Sequence, residues 1–244
     1  MTANNNVKIQ TKGKHKYEFG EGPIFTITNY IIWLFLGNLY FFILNLPLLY
    51  AIIVIISSGS NRFPEGFGTI FALCCIPIGP AATALFSVMG KLVREKEVNI
   101  TKDFFKAYKT NFLQSIFLGS MGILIIILIL FDIKIIILYR YPSFIITILY
   151  AVIIFIAILG LYAFPLISRF YLKSKDVLKL SVYYAVIKIH ITILNVCSFV
   201  IVGFIFLKTT SFIVLFISSI ICYLIMFYEK NIIIEMEEKS KKHI

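Results

Sequence analysis

Cysteine and histidine are the residues of this chain that suit metal or redox chemistry, and Cys74 and Cys75 are adjacent. A metal site needs ligands at matched spacing, such as C-x-x-C with a companion His or carboxylate, and none accompanies this pair. Both cysteines fall in an apolar stretch, where a thiol behaves as a small hydrophobe. His190 lies at the start of another apolar stretch, as an interfacial residue would. The sequence predicts neither a metal site nor a cofactor.

Catalytic motifs are also missing from the sequence. It contains no GxxxxGK[ST] phosphate loop, no HExxH, no GxSxG and no dinucleotide fingerprint. No Asp, Glu, Lys, Arg or His is predicted in the middle of an apolar span, where proton-coupled pumps and many intramembrane enzymes place them. Neutral polar residues in these spans are expected to form hydrogen bonds between helices. They include Asn38, Asn45, Gln114, Ser115, Asn195 and Ser198. The sequence therefore predicts a protein that is not an enzyme.

The chain contains six long apolar stretches, and these must form the elements that position its polar residues. The composition is 60% hydrophobic and 14% charged, with a mean hydropathy of +0.94, which is too apolar for a water-soluble domain. A helix of about 20 apolar residues crosses the hydrocarbon core, and continuous apolar runs exclude a barrel. The predicted fold is an all-α, polytopic transmembrane bundle. Its spans are predicted at 30–56, 68–90, 112–131, 143–167, 191–207 and 211–228.

Basic residues are distributed unevenly between these stretches. Nineteen of the 23 Lys and Arg residues lie in the N-terminal arm, in the gaps after the second and fourth spans, and after the sixth span. Cytoplasmic loops carry the excess of Lys and Arg, so both termini are predicted in the cytoplasm. The net charge of +11 then fits anionic lipid headgroups and requires no nucleic acid.

The ends of the chain differ in composition from its centre. The N-terminal arm is polar and Lys-rich, without the short apolar core and cleavage site of a signal peptide. The predicted organisation is a basic cytoplasmic arm over 1–27, a six-helix transmembrane domain over 28–228 and a charged cytoplasmic tail over 229–244.

The second span has the most distinctive pattern. Pro77 and Pro80 each remove a backbone donor and clash with the preceding turn, so the helix is predicted to kink or break between them. Gly79, Thr83 and Ser87 follow at four-residue intervals and form one small-residue face that suits close helix contact. A broken helix beside such a contact is either a structural elbow or a substrate site, and the elbow is favoured.

Residues 101–112 predict an amphipathic helix at the membrane interface that runs into the third span, with Thr101 as its N-cap. One predicted apolar face carries four aromatic residues, and lysines occupy the remaining surface. The aromatic residues are Phe104, Phe105, Tyr108 and Phe112. The gap before the fifth span has a similar pattern from Ser174 to Ala185. Phe105 and Tyr108 are predicted either to anchor a partner helix or to lie on lipid headgroups.

A family resemblance rests on four segments, which are the first span with Trp33, the run from Pro77 to Phe86, the run from Phe104 to Phe112, and Phe164 to Phe170. Together they resemble the YesL-like family of small bacterial integral membrane proteins, from about Asn29 to the last span. The resemblance implies association with carbohydrate uptake, because members are often encoded beside sugar-type binding-protein-dependent transporters, and it implies no catalytic residue. The candidate structural or interaction residues are Pro77, Gly79, Pro80, Thr83, Ser87, Phe105, Tyr108, Phe164, Pro165 and Arg169.

Two functions remain in view from the sequence. The first is an accessory or regulatory component associated with an ATP-driven carbohydrate transporter. The alternative is a transport protein itself, such as half of an ABC permease or a small-solute transporter, because six spans with both ends inside fit that architecture. Residues 168–190 lack the Glu-Ala-Ala-x-x-x-Gly segment usual in sugar-importer permeases, which favours the accessory role.

Overall fold

The computed structural model describes residues 23–57, 67–208 and 214–241. The described residues form nine α-helices and no β-strand, which confirms the predicted all-α fold for this part of the chain. The helices are α1 (Pro23–Leu44), α2 (Leu46–Ser57), α3 (Phe67–Cys75), α4 (Ile78–Glu95), α5 (Ile100–Leu138), α6 (Ser143–Arg169), α7 (Ser174–Ile187), α8 (Ile189–Lys208) and α9 (Ile217–Lys241). Three segments lie outside the described residues, namely the basic arm before Pro23, the loop that contains Arg62 and the predicted start of the sixth span.

The chain divides into two compact units between Ile32 and Trp33. The described part of the first unit is the beginning of α1, where the Thr28 hydroxyl donates to the carbonyl of Ile24 at 2.9 Å. All of the packing discussed below lies within the second unit, which starts at Trp33.

Several elements are long and apolar enough to cross a membrane. Five candidate spans lie at Ile24–Leu44, Gly68–Glu95, Ile100–Leu138, Ser143–Arg169 and Ile217–Glu238. A sixth span results if α7 and α8, which are bent by 94° at the residue between them, count as one crossing. These apolar helices are those of a protein embedded in a membrane. The fifth predicted span therefore includes or adjoins a sharp bend that the sequence pattern did not specify.

The first predicted span, 30–56, is not one helix. It consists of α1 and the twelve-residue α2, which are separated at Asn45. The side-chain nitrogen of Asn45, Nδ2, donates to the carbonyl of Phe41 in α1 at 2.8 Å. Pro47 is the second residue of α2, where a missing backbone donor costs little because the first turn has no partner for it.

The interruption predicted in the second span is present. It separates α3, which ends at Cys75, from α4, which begins at Ile78. Pro77 is the N-cap residue of α4, and Pro80 falls in its first turn, where its missing donor is tolerated. Both prolines are therefore accommodated by starting a new helix. The other end of α4 closes at Lys96, whose left-handed backbone, with φ 60°, lets its N–H donate to Leu92 at 3.1 Å.

The predicted interfacial helix and the third span form one continuous helix, the 39-residue α5. If Thr101 were the N-cap, the helix would begin at Lys102. Since α5 begins at Ile100, Thr101 lies inside the helix and does not cap it. Asn99 caps it instead, and its side-chain oxygen accepts from the Lys102 N–H at 3.3 Å. Asn is among the strongest N-cap residues, and it satisfies a donor that lacks a partner in the first turn.

The sixth span extends further than predicted. The sequence places its end at Tyr228, but α9 continues to Lys241, and Ile232 and Ile233 beyond that point are buried. At the other end of α9, the Asn38 side-chain oxygen accepts from the Ser218 N–H at 3.1 Å. The same amide donates to the carbonyl of Val214 at 3.0 Å, so α1 caps the start of α9.

The centre of the bundle is α4, which packs against α5, α6 and α9. Its buried side chains are small or apolar, as a close multi-helix contact requires. Ala81, Ala84, Leu85, Val88 and Met89 are completely buried. In contrast, α5, α6 and α8 have large apolar side chains on their outer faces, which suits contact with lipid.

Candidate functional site

The predicted small-residue face is part of α4, and it packs closely against α5. The Thr83 hydroxyl donates to the carbonyl of Gly79 at 3.0 Å, and the Ser115 hydroxyl donates to Thr83 Oγ1 at 2.8 Å. A Cβ atom on Gly79 would overlap the backbone carbonyl oxygen of Ser115, and one on Gly119 would lie 3.1 Å from Gly79 Cα. Gly79 and Thr83 are buried at this contact, whereas Ser87 is only half-buried.

An apolar cavity lies beside this contact. It has a volume of about 590 Å³ and is bordered by residues of α4, α5, α6, α8 and α9. Gly79, Gly119 and Phe164 line it, and Ser218 and Cys222 supply its polar side chains. The neighbouring Pro165 is buried within the last turns of α6. The cavity therefore offers volume for an apolar group but few partners for a polar one.

Arg169 joins two helix ends. Its Nε donates to Glu237 of α9 at 2.6 Å. Two other ion pairs join helix ends, with Lys91 Nζ of α4 2.7 Å from Asp103 of α5 and Lys188 3.9 Å from a carboxylate oxygen of α9. Partly exposed pairs stabilise a fold only weakly. The pairs of Arg169 and Lys188 show that the second basic gap and the end of α9 lie close together.

The four aromatic residues at the start of α5, which the sequence predicted on one apolar face, differ in burial. Phe104 is completely buried, because it lies with Ile100 on the side of α5 that packs inward. Phe105 remains 40% exposed, with its ring centre 5.3 Å from that of Tyr40. Tyr108 is half-buried, and its ring centre lies 5.3 Å from that of Phe112.

The prediction that no ionisable residue lies in the middle of a span is wrong at Glu229. Asp132 and Lys134 lie near the end of α5, and Glu229 lies in the middle of α9. Glu229 is only 2% exposed, and Asn195 Nδ2 of α8 donates to its Oε1 at 2.8 Å. A buried carboxyl in a membrane helix marks a functional site by default.

A signal for Glu229 does exist in the sequence. The apolar pattern resumes after Lys230, and the buried residues of α9 recur at spacings of three and four around Glu229. Ile225, Met226, Ile232 and Ile233 are the apolar members of this face. The periodicity of an inward helix face therefore places Glu229 inside the bundle, although the charges from Glu229 onward suggested a tail.

Other polar groups surround this pair. Tyr162 Oη of α6 lies 2.8 Å from Thr192 Oγ1, which donates to the carbonyl of Ala185 at 2.9 Å. Thr192 and Asn195 are three residues apart and so lie on one face of α8. Asn195 Oδ1 is buried and has no hydrogen-bond partner among the described residues. The polar cluster thus consists of Tyr162, Thr192, Asn195, Glu229 and the Ala185 carbonyl.

Side chains that could act as metal ligands are scattered in the part of the chain that the structure describes. Residues 23–57, 67–208 and 214–241 contain no group of three or more His, Cys, Asp or Glu side chains placed to hold a metal ion. Cys74 and Cys75 are both free thiols, and Cys75 is buried.

Comparison with known proteins places this chain in a family. Residues 25–133, which include the α4–α5 contact, match the family described as "Protein of unknown function, DUF624". The chain is also 30% identical over 189 residues to "Uncharacterized protein YteU" of Bacillus subtilis (strain 168), with 73% of this chain and 83% of that protein covered. The chain belongs to the DUF624 family. The resemblance to YesL-like proteins is thereby confirmed, and no solved structure matches the chain.

Proposed function

We propose that this protein is a non-enzymatic accessory or regulatory component that docks to an ATP-driven carbohydrate transporter in the bacterial cell membrane. The observation that carries the proposal is the outer surface of α5 near its start, which we call the docking face. It combines exposed aromatic rings with exposed lysines. Its residues are Lys102, Phe105, Lys106, Lys109 and Phe112.

The docking face suits recognition of an acidic, partly apolar segment of a membrane partner. Aromatic side chains are frequent anchors of protein interfaces, and surrounding charges speed and orient the approach of a partner. Intramolecular contacts hold this surface in place. Phe105 packs on Tyr40, and the Tyr40 hydroxyl lies 2.8 Å from Thr101 Oγ1. A surface that is already ordered loses less conformational entropy on binding.

The carbohydrate part of the proposal rests on the YesL-like resemblance, which implies association with sugar-type transporters. The shape and polarity of the cavity support an accessory role over direct sugar transport. Binding sites fix a polar ligand with several placed polar groups. Among the described residues that line the cavity of about 590 Å³, only Ser218 and Cys222 have polar side chains. An apolar lining is a poor match for a sugar.

The alternative, transport of a small solute by the protein itself, has one observation in its favour. Glu229 is a buried carboxyl in a membrane helix, and coupled transporters use such groups together with interrupted helices. The 94° bend between α7 and α8 is an interruption of this kind.

The test reverses charge on the docking face. Lys106 and Lys109 are exposed, so Lys106→Glu combined with Lys109→Glu should leave the fold intact while repelling an acidic partner. The protein is purified in mild detergent from the native host, and copurifying proteins are identified. We expect the double variant to lose transporter subunits that accompany the wild type. Lys134→Glu, at an exposed site near the other end of α5, is the matched control and should retain them.

Three outcomes count against the proposal. An unchanged partner set in the double variant would exclude docking through this face. If the double variant loses only its binding to vesicles of anionic lipid, the lysines serve the membrane surface. Solute uptake by the purified protein reconstituted alone would favour the transport alternative.

A further inference from the structure

The unsatisfied oxygen of Asn195 points to a missing hydrogen. In the described chain, Asn195 Nδ2 donates to Glu229 Oε1 at 2.8 Å, while Asn195 Oδ1 is buried and accepts no hydrogen bond. Buried polar atoms without partners are rare, and each needs an explanation. Glu229 is itself buried, at 2% exposure. The pair therefore has both a carboxyl without a counter-charge and an acceptor without a donor.

We propose that Glu229 and Asn195 form a binding site for a single proton. A carboxylic acid and a primary amide are both planar, and each presents one donor and one acceptor on the same edge. The amide already donates to one carboxyl oxygen. A proton on the other oxygen, Glu229 Oε2, donates to Asn195 Oδ1 and completes a second, parallel hydrogen bond. One proton thus satisfies the orphaned oxygen and removes the buried charge.

The surroundings support a proton over a basic side chain as the neutralising group. Within the described chain, no Lys, Arg or His forms an ion pair with Glu229. Two basic residues at nearby helix ends have acidic partners of their own. Arg169 of α6 pairs with Glu237, and Lys188 pairs with Glu235. A buried carboxylate without a partner is costly, and such a group is normally neutralised.

The other elements around the site contribute neutral groups. On α6, Tyr162 Oη is hydrogen bonded to Thr192 Oγ1, and on α7, Tyr184 belongs to the same buried cluster as Tyr162. The charged residue that α4 contributes is Arg94. The charges that act on it are those of Arg169, Glu237 and Glu95, and not that of Glu229. The end of α7 presents the Ala185 carbonyl to Thr192, and a helix C-terminus carries partial negative charge. This partial negative charge disfavours an ionised Glu229 and favours its neutral acid.

The proton joins two helices. With the proton bound, two hydrogen bonds connect α8 to α9 next to the bend between α7 and α8. When the site takes up a proton from water, one O–H bond forms at Glu229 and no other covalent bond changes. Loss of the proton leaves Glu229 Oε2 and Asn195 Oδ1 as facing acceptors with no hydrogen between them, so only the hydrogen bond from Asn195 Nδ2 to Oε1 still joins α8 to α9 there. The contact is therefore a proton-responsive joint, whether or not the docking face binds a transporter.

Infrared difference spectroscopy on the purified full-length protein at neutral pH tests the proposal directly. A protonated carboxylic acid has a carbonyl stretching band that an ionised carboxylate lacks, and the band shifts in deuterium oxide. We expect this band in the wild type and its loss in Glu229→Gln, since glutamine preserves both hydrogen bonds as an amide pair. Glu238→Gln, at an exposed carboxyl on the same helix, is the control and should retain the band.

A second variant identifies the partner of the acid. Replacing Asn195 with Ala removes the hydrogen bond to Oε1, so the acid band should shift to higher frequency. Absence of the band from the folded wild type at neutral pH would overturn the proposal. So would a band that persists in Glu229→Gln or that does not move in Asn195→Ala. If Glu229→Gln fails to fold, the wild-type band and its shift in Asn195→Ala still decide the question.

Discussion

The contact between α4 and α5 predicts a large effect from adding one methyl group. Gly79 is the second residue of α4, and a Cβ atom there would overlap the backbone carbonyl oxygen of Ser115. A flexible side chain would yield to such a contact, but a backbone carbonyl moves only with its helix. Gly79→Ala must therefore shift α4 and α5 apart.

The expected loss of stability has two parts. Overpacking of a close contact costs about 1–3 kcal/mol. The shift also lengthens the buried hydrogen bond from Ser115 to Thr83, now 2.8 Å, and a hydrogen bond of this kind contributes about 0.5–1.5 kcal/mol. A central value is about 3 kcal/mol. For a chain of this size it corresponds to a fall of about 6–12 °C in the unfolding midpoint.

Gly68→Ala is the matched control. Gly68 is the second residue of α3, and a Cβ atom there meets nothing within 4 Å. Both substitutions occupy the same position in a helix, so the change in helix propensity is similar and cancels in the comparison. Only the clash differs.

Thermal unfolding in mild detergent provides the assay. It can be followed through the fluorescence of Trp33, the single tryptophan of the chain, or through helical circular dichroism. We expect Gly68→Ala to unfold near the wild-type temperature and Gly79→Ala well below it. Equal midpoints for the two variants would refute the close approach of α4 to α5.

Two further predictions concern the start of α9 and the orientation of the chain. Asn38→Ala removes the hydrogen-bond partner of two partly buried groups, the Val214 carbonyl and the Ser218 N–H. It should destabilise the protein by about 1–3 kcal/mol in total, and a thermal midpoint equal to wild type would contradict the capping role. The positive-inside rule predicts that both termini are cytoplasmic. A cysteine at Ser60 should then react with an impermeant reagent from outside the cell and one at Ser174 should not, and the reverse labelling pattern would disprove this orientation.

Local patterns account for most of what was predictable about the fold. The break before Ile78 follows from Pro77 and Pro80, since neither ring fits inside a continuous helix. The small-residue face of α4 follows from four-residue spacing alone. Helix caps were less predictable, because Asn99 and Thr101 are both good N-cap residues. The helix begins at Ile100, whose side chain is buried, and this makes Asn99 the N-cap.

The candidate site depended on packing between distant segments. Asn195 and Glu229 are 34 residues apart, and only the arrangement of α8 against α9 brings them to 2.8 Å. The sharp bend between α7 and α8 likewise leaves the Ala185 carbonyl free to accept from Thr192. Neither contact has a spacing that a single-helix pattern would show.

The sequence by itself determined that the chain is an all-α membrane protein with up to six spans and an interrupted second span, because hydropathy, length and proline act locally on the backbone. Only the tertiary structure decided that Phe104 faces inward and Phe105 outward, and that Asn195 of α8 meets Glu229 of α9 inside the bundle. The physical reason is that a charge ends an apolar stretch when the chain is read one segment at a time. In the folded bundle, a neighbouring helix supplies the hydrogen bond that permits a carboxyl to be buried.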